Sequence, residues 1–349
     1  TLFPYTTLFR SVKQNSDFIN EDSSQQDAYN HAIQAAKDLI TAHPTIMDKN
    51  QIDQAIENIK QALNDLHGSN KLSEDKKEAS EQLQNLNSLT NGQKDTILNH
   101  IFSAPTRSQV GEKIASAKQL NNTMKALRDS IADNNEILQS SKYFNEDSEQ
   151  QNAYNQAVNK AKNIINDQPT PVMANDEIQS VLNEVKQTKD NLHGDQKLQK
   201  AQQDATNELN YLTNLNNSQR QSEHDEINSA PSRTEVSNDL NHAKALNEAM
   251  RQLENEVALE NSVKKLSDFI NEDEAAQNEY SNALQKAKDI INGVPSSTLD
   301  KATIEDALLE LQNARESLHG EQKLQEAKNQ AVAEIDNLQA LNPGQVLAE

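Results

Sequence analysis

The 349-residue chain is built on an internal repeat with a period of 126 residues. A seven-residue phrase recurs almost unchanged. Its copies are LHGSNKL (Leu66–Leu72), LHGDQKL (Leu192–Leu198) and LHGEQKL (Leu318–Leu324). A second phrase, Asn-Glu-Asp, stands at 20–22, 145–147 and 271–273. Because a fixed period is the signature of an array of similar units, we expect several small domains rather than one large core.

The composition favours helices with thin cores. Hydrophobic residues make up 34% of the chain and aromatic residues 3%, with no Trp. Seven Gly and eight Pro are few for this length, which disfavours a β-sandwich full of turns. The abundant Ala, Leu, Glu, Lys and Gln are good helix formers. We therefore predict an all-α fold.

Within the middle repeat, apolar residues recur at the spacing of amphipathic helices. The predicted stripes are Tyr154, Ala157, Val158, Ala161 and Ile165; Ile178, Val181, Leu182, Val185 and Leu192; Leu198, Ala201, Ala205, Leu209 and Leu212; and Val236, Leu240, Ala243, Leu246, Met250, Leu253 and Val257. A shorter and more polar segment ends at Ile227. This pattern predicts tandem three-helix bundles. The tyrosine that opens the first stripe returns as Tyr29 and Tyr280, and we interpret it as a core residue rather than a ligand contact.

The longest uninterrupted helical pattern runs from Thr106 to Tyr143, which is 38 residues. Thr106 with Gln109 fits a capping box at its start, as does Ser232 with Glu235 in the next copy. A helix of that length would measure about 57 Å. Since a bundle of about sixty residues is marginal alone, we predict that this unbroken helix closes one bundle and opens the next. The result would be an extended, stiff rod of about 150 Å.

The repeated Leu-His-Gly step is interpreted as a helix boundary. Gly68 stands where a helix end would favour a left-handed residue, and His67 could face the negative end of the helix dipole. A metal ligand or general base is the alternative for the histidine. However, the residue after the glycine changes from Ser69 to Asp195 and Glu321, so no fixed carboxylate accompanies it. Whether the step breaks or only kinks the helix is left open.

Charge and motifs exclude several functions. A net charge of −21 without a basic cluster argues against nucleic acid and anionic membranes. Zero Cys excludes disulfides and thiol chemistry, and no segment has the ~20 apolar residues of a membrane span. Acidic phrases such as 271–274 could attract Ca²⁺, but they lack the loop pattern of a calcium site, and a helix N-terminus explains them better. We predict no catalytic, cofactor or metal site, and therefore no enzyme.

The first eleven residues do not match the repeats. They contain Phe3, Tyr5 and Phe9, and they lack the basic start and apolar core of a signal peptide. The string resembles a translated sequencing adapter, so we treat residues 1–11 as a non-native segment. The last copy stops soon after Gln345, and we expect the chain to be a fragment of a longer protein.

Two stretches of the repeat resemble known modules. The sequence Tyr154–Gly194 resembles the FIVAR module of Gram-positive surface proteins. The sequence Lys197–Met250 is similar to the GA module, which is related to bacterial albumin-binding domains. Their alternation resembles the giant matrix-binding surface proteins of staphylococci. This resemblance implies a long protein on the bacterial cell wall, outside the cell, whose anchor and signal peptide lie beyond this fragment.

The resemblance also divides the chain into bundles. Residues 1–11 are set apart as the non-native segment. The predicted units are FIVAR-like bundle 1 (12–70, with an incomplete first helix), GA-like bundle 1 (71–130), FIVAR-like bundle 2 (131–195), GA-like bundle 2 (196–256), FIVAR-like bundle 3 (257–321) and a truncated GA-like bundle 3 (322–349).

Two functions follow as expectations. The first is a non-enzymatic spacer, with adhesion to a host matrix protein of the fibronectin type implied by the resemblance. The alternative is albumin binding, which relatives achieve through the short second GA helix and its flanking loops. The matching segments are Asn91–Thr106 and Asn216–Ser232. The segment Asn216–Ser232 is charged and lacks an aromatic residue. Because binding hot spots usually need aromatic or Arg anchors, albumin binding is not expected there.

The first of these segments offers more apolar side chains, namely Ile97, Leu98, Ile101 and Phe102, although Ile101 is expected in the core. The residues that contact a ligand are unknown from sequence. We expect no nucleic acid partner, no membrane insertion and a monomer.

Overall fold

The computed structural model describes residues 9–41, 48–338 and 343–348. Within these ranges the regular structure is helical, and no β-strand is present. The long helices are α1 (Ser23–Thr41), α2 (Lys49–Asn64), α3 (Gly68–Gln84), α4 (Asn91–Ser103), α5 (Arg107–Ser130), α6 (Ser148–Ile165), α7 (Asn175–Asp190), α8 (Gly194–Leu209), α9 (Asn217–Ser229), α10 (Arg233–Val257), α11 (Glu274–Asn292), α12 (Lys301–Glu316) and α13 (Gly320–Asp336). Short helices cover Ser16–Ile19, Asn134–Gln139, Ser141–Phe144, Glu260–Val263, Ser267–Ile270 and Pro343–Ala348.

The long helices pack in groups of three, as predicted. Helices α3, α4 and α5 form one bundle, and α8, α9 and α10 form its copy in the next repeat. Helix α5 also packs against α6 and α7, and α10 packs against α11 and α12. Each of these two helices therefore belongs to a GA-like bundle and to the FIVAR-like bundle that follows it. The all-α fold of three-helix bundles joined through shared helices is confirmed.

The shared helix is shorter than predicted. Helix α5 ends at Ser130, residues 131–133 form a turn, and two short helices follow before the next Asn-Glu-Asp phrase. The prediction of an unbroken helix from Thr106 to Tyr143 was therefore wrong. At the end of α5, Ser130 Oγ donates to the carbonyl of Leu127, and after the turn Ser140 caps a new helix.

The chain divides into two compact units. The first comprises the residues up to Gln139 together with Asp147–Leu192, and the second comprises Ser140–Glu146 with the residues from His193 onward. In the first unit, one hydrophobic cluster runs through α3 to α7. In the second, one cluster runs through α8 to α12. Each GA-like bundle therefore shares a contiguous core with the FIVAR-like bundle after it, instead of having a core of its own.

The predicted core residues are largely confirmed. Tyr29, Tyr154 and Tyr280 are at most 1% exposed, so the tyrosine series packs in the core. In the stripe that follows Tyr154, Ile164 is buried and Ile165 only partly so, a shift of one position on the same face. A separate small cluster surrounds Tyr29 and includes Phe9 at its edge.

The Leu-His-Gly step is a break, and its glycine has a different role from the predicted one. Helix α2 ends at Asn64, and α3 begins at Gly68 with His67 as its N-cap. The histidine thus precedes the positive end of a helix dipole instead of facing a negative end. Gly68 is in the helix, and the positive-φ glycine among the described residues is Gly293. The left-handed interpretation of Gly68 was wrong.

Some predictions fall on residues outside the described ranges. Residues 1–8 of the proposed non-native segment lie there, as do residues 339–342 and 349 of the predicted truncated GA-like bundle 3.

Candidate functional site

The polar side chains that the repeats bring together lie where one bundle meets the next. We distinguish two kinds of junction. The FIVAR-to-GA junction joins the Asn-Glu-Asp phrase to the Leu-His-Gly phrase and to the start of the shared helix. The GA-to-FIVAR junction joins the second helix of a GA-like bundle to the loop between the second and third helices of the following FIVAR-like bundle.

A buried glutamate forms the centre of each FIVAR-to-GA junction. The residue is Glu21, Glu146 or Glu272, and each is at most 8% exposed. Its carboxylate accepts the backbone N–H of the histidine that precedes the next helix, at 2.5, 2.5 and 2.6 Å respectively. The other oxygen pairs with a lysine four residues after that histidine, which is Lys71, Lys197 or Lys323. One carboxylate therefore satisfies both the backbone and a cation at the start of the next helix.

These bonds favour the ionised carboxylate. The ammonium of Lys323, followed by the backbone N–H groups of His319 and Asp273, lowers the pKa of Glu272 to about 2. For Glu21, burial acts to raise the pKa, but the hydrogen bonds from Lys71 and the two backbone amides outweigh it, so the pKa is lowered. Both glutamates are therefore charged at neutral pH and held by their partners.

The glycine of the Leu-His-Gly phrase permits close contact between two backbone segments. A Cβ atom at Gly68 would lie 2.6 Å from the carbonyl oxygen of Asp17 and 2.6 Å from the nitrogen of Glu21. The same holds at Gly320, where a Cβ would lie 2.6 Å from the carbonyl oxygen of Asp268. Since no side chain fits at these distances, glycine lets the short helix before the Asn-Glu-Asp phrase pack directly onto the next helix.

The asparagine of the phrase clamps the start of the shared helix. Asn20 donates to the carbonyl of Pro105 at 3.2 Å and accepts the backbone N–H of Arg107 at 2.9 Å. In the next repeat, Asn145 donates to the carbonyl of Pro231 at 3.1 Å and accepts the N–H of Arg233 at 2.9 Å. Both asparagines are at most 3% exposed. The amide side chain thus holds a helix entry with a donor and an acceptor at once.

The aspartate completes an ion network in the first repeat. Asp22 accepts from Arg107 at 2.8 Å and from Lys71 at 2.6 Å, and Arg107 also donates to Asp75 at 2.8 Å. The hydrogen bond from Lys71, then that from Arg107, lowers the pKa of Asp22. Because Lys71 lies on α3 and Arg107 on α5, three consecutive residues of one bundle bind two helices of the next.

At the GA-to-FIVAR junction, a loop covers the N-terminus of the second GA-like helix. In the first unit Asp167 accepts from the hydroxyl of Thr90 and from the backbone N–H of Gly92, at 3.0 Å for the latter. Gln93 donates to the carbonyl of Val172 at 2.7 Å. Asp167 adopts a left-handed conformation with φ of 55°. The carboxylate therefore caps α4 from the neighbouring bundle.

The second unit makes the same contact with other residues. Asn216 precedes α9, and its side chain accepts from the hydroxyl of Ser297 at 2.9 Å. Gln219 donates to the carbonyl of Thr298 at 2.8 Å. Gly293, with φ of 69°, occupies the position of Asp167. The loop contact is thus repeated although its chemistry changes.

The turn after the shared helix is also tied to its bundle. Lys189 of α7 pairs with Asp133, which lies in that turn. At the corresponding position Arg315 of α12 donates to Glu256 of α10 at 2.6 Å, and Glu256 is 8% exposed. In the first repeat a salt bridge therefore holds the turn itself. In the second repeat the bridge holds the last turn of the shared helix, and Lys288 of α11 pairs with Glu260 in the short helix that follows.

The second GA-like helices differ in what they present. In α4, Ile97 and Ile101 are buried, Leu98 is partly buried and Phe102 is 56% exposed. The prediction that Ile101 is a core residue is confirmed. In α9, the exposed positions are polar, and the buried Glu223 stands where α4 has Ile97.

The sequence interpretation missed the structural role of the Asn-Glu-Asp glutamate, which it assigned to a helix N-terminus. Asp273 is indeed the N-cap of α11 and Glu274 lies in its first turn, but Glu272 binds a different helix. The available signal was the constant spacing between phrases. The glutamate precedes the histidine by 46 or 47 residues in every copy.

Within the described residues, no group of three His, Asp or Glu side chains is placed to hold a metal ion. Likewise, the helices in the described ranges are too short or too polar to cross a bilayer.

The bundles, the shared helices and the two junctions define a tandem array of three-helix modules. The FIVAR domain model matches residues 7–67, 123–193 and 249–319, and the GA module model matches residues 69–123, 195–249 and 321–348. The chain therefore belongs to the FIVAR domain family, and its FIVAR domains alternate with GA modules. Neither family is an enzyme family.

The chain is similar to the Ebh proteins of staphylococci. Extracellular matrix-binding protein EbhA of Staphylococcus aureus strain N315 is 43% identical over 336 residues, which cover 96% of this chain and 5% of that protein. The chain thus spans about one twentieth of the length of that relative.

Two solved structures are also similar. A crystal structure of a domain segment of EbhA from S. aureus matches with a TM-score of 0.63 and 28% identity, over 67% of this chain and 94% of that one. A structure described as concerning Embp-mediated adherence of Staphylococcus epidermidis to fibronectin is 36% identical over 36% of this chain and 99% of that one. Its TM-score is 0.35.

Proposed function

We propose that the chain is a non-enzymatic repeat segment of a giant surface protein of a Gram-positive bacterium, and that it acts as an elongated, stiff spacer outside the cell. The observation that carries this proposal is the contiguous core that each GA module shares with the following FIVAR domain through one helix. A shared helix and core resist bending between the two modules, because bending would separate packed side chains. The proposal includes the six bundles with the boundaries predicted from the sequence, and a monomeric state.

Small-angle X-ray scattering tests the spacer role. A compact globule of this length would have a radius of gyration of about 20 Å. A thin rod of about 150 Å, the length expected from helix rise, would have one of about 43 Å. We expect a single rigid, elongated shape at all protein concentrations. Scattering that fits only a broad ensemble of bundles on flexible connections would contradict the spacer role.

We propose adhesion to a host matrix protein of the fibronectin type as a second role. Its support is the resemblance to proteins that are named for matrix binding. Because the modules repeat, weak contacts at each would be strengthened by multivalency. A titration with fibronectin should saturate and weaken with fewer repeats. A titration without saturable signal at low and high salt would leave only the spacer role.

Albumin binding is the alternative, and one observation argues against it. The loop of the next FIVAR domain covers the N-terminus of the second GA helix. Asp167 of that loop binds the start of α4 in the first unit, and Ser297 binds Asn216 at the start of α9 in the second. A partner that needs this end of the helix would have to displace that loop. The same titration with serum albumin in place of fibronectin should therefore show no saturable binding.

A further inference from the structure

The second GA module contains a buried carboxylate that the first module lacks. Glu223 of α9 is 1% exposed and lies among the helices of its bundle, whereas Ile97 occupies the corresponding position in α4. The Glu223 carboxylate meets Nδ1 of His242 on α10 at 2.9 Å, and the corresponding residue in the first module is Ser116. The module has thus exchanged an apolar core contact for a pair of titratable groups that bridges two helices.

The surroundings of Glu223 offer little compensation for its charge. On the side of α8, the buried residues of the bundle are Ala205 and Leu209, which are apolar. Two other carboxylates, Glu226 on the same helix and Asp239 on α10, disfavour a negative charge on Glu223. His242 is the group that favours ionisation, and its side chain is 50% exposed. A buried carboxylate with one titratable partner is costly unless that partner is charged or the carboxyl group is neutral.

We propose that the Glu223–His242 pair makes the stability of GA-like bundle 2 depend on pH, so that the bundle opens more readily as pH rises from acidic to neutral values. Because this bundle shares its core with FIVAR-like bundle 3, the two open together. The corresponding pair of modules in the first unit, with Ile97 and Ser116, lacks this dependence. The segment formed by GA-like bundle 2 and FIVAR-like bundle 3 therefore unfolds before the corresponding pair in the first unit when pH rises from acidic to neutral.

The direction follows from proton linkage. Burial, the largest influence, raises the pKa of Glu223 above the value of an exposed glutamate, despite the opposing effect of His242. The folded state therefore holds more protons than the unfolded state once pH exceeds the unfolded pKa. Stability is fully present below that value and is lost as pH rises through the folded pKa.

Hydrogen–deuterium exchange of the whole chain at pH 5 and pH 8 tests the proposal. With intrinsic exchange rates divided out, the protection factors of α8, α9 and α10 should fall relative to those of α3, α4 and α5. One proton can change them by at most about tenfold per pH unit. Glu223→Gln, which keeps the size and removes the charge, should abolish the difference, as should Glu223→Ile. Asp225→Asn, which neutralises an exposed carboxylate of the same helix, is the matched control and should retain it.

Two results would overturn the proposal. The first is an equal response of both sets of helices in the wild-type chain. The second is a pH response in Glu223→Gln that equals that of Asp225→Asn. If Glu223→Ile fails to fold, Glu223→Gln alone decides between the outcomes. His242→Ser supplies an independent check, because it removes the partner that favours the ionised Glu223, so the fall in protection of α9 between pH 5 and pH 8 should be at least as large as in the wild-type chain.

Discussion

The carboxylate of Glu272 accepts the backbone N–H of His319 at 2.6 Å, although 47 residues separate them. The same bond joins Glu146 to His193 one repeat earlier. It links the second residue before a FIVAR helix to the residue before the next GA helix. The histidine takes part through its backbone, and the glycine after it lets the two segments touch. The repeated phrases are therefore the two halves of one junction.

Substitution of the junction glycine should destabilise the chain. In Gly68→Ala, the new Cβ would meet backbone atoms at 2.6 Å, which cannot move as a flexible side chain could. The expected loss is about 1–3 kcal/mol, as for other overpacked sites. Urea unfolding followed by circular dichroism measures it. Gly111→Ala is the control, because a Cβ there meets no atom within 4 Å and should stabilise α5 by about 0.5–1 kcal/mol.

Acid should weaken the third junction in a defined window. Since the pKa of Glu272 is lowered to about 2 when folded, its contribution is present above the unfolded value near 4.5 and is lost as pH falls to about 2. Glu272→Gln should remove this part of the acid transition and cost about 1.5–3 kcal/mol at neutral pH. Exchange of the His319 amide with deuterium, measured from pH 6 to pH 3, reports the junction itself. Glu274→Gln, a neighbouring exposed carboxylate, should leave that amide protected.

Removal of the asparagine clamp should free the start of α10. Asn145→Ala leaves the carbonyl of Pro231 and the N–H of Arg233 without their side-chain partner. Unpaired buried groups cost about 1–3 kcal/mol. The Arg233 amide should then exchange faster. Asn145→Asp keeps the acceptor and loses the donor, so an intermediate effect on Arg233 is expected. Equal exchange in all three proteins would show that the clamp does not hold the helix entry.

Asp167 tests two opposed effects at one residue. Asp167→Gly would relieve the left-handed conformation, which costs an L-residue about 1–2 kcal/mol. It would also remove charge-assisted bonds to Thr90 and Gly92, worth about 1.5–3 kcal/mol each. The loss of these hydrogen bonds should outweigh the relief of backbone strain. Hydrogen exchange should then show a lower free energy of unfolding for α4. Asp167→Asn, which tolerates the same backbone and keeps an acceptor, should lie between. A more stable glycine variant would contradict the capping role.

The helices, the bundles and the tyrosine core could be predicted because each depends on local spacing. Tyr154 opens a stripe whose members fall on one helix face, and burial at 0% follows from that pattern. The end of α5 at Ser130 could not be predicted in this way. No Gly or Pro marks the break, and the turn at 131–133 interrupts a stretch whose residue types are all compatible with a helix.

The junctions escaped prediction for a tertiary reason. Glu21 and His67 meet only because two helices fold back on each other, and neither residue type indicates the other. A glycine between helices is equally compatible with a left-handed turn and with close backbone contact. Only the constant interval between the two phrases pointed to a pair, and that interval does not say which atoms meet.

The central claim is that a GA module and the FIVAR domain after it form one folding unit. Native-state hydrogen exchange in increasing urea tests it most directly on Leu311→Ala, a core residue of α12 that is 0% exposed. The substitution should lower the unfolding free energy of amides in α12 by about 2–5 kcal/mol. If the core is shared, the slowest amides of α8 should lose the same amount. Amides of α8 that keep their wild-type free energy while those of α12 weaken would contradict the claim.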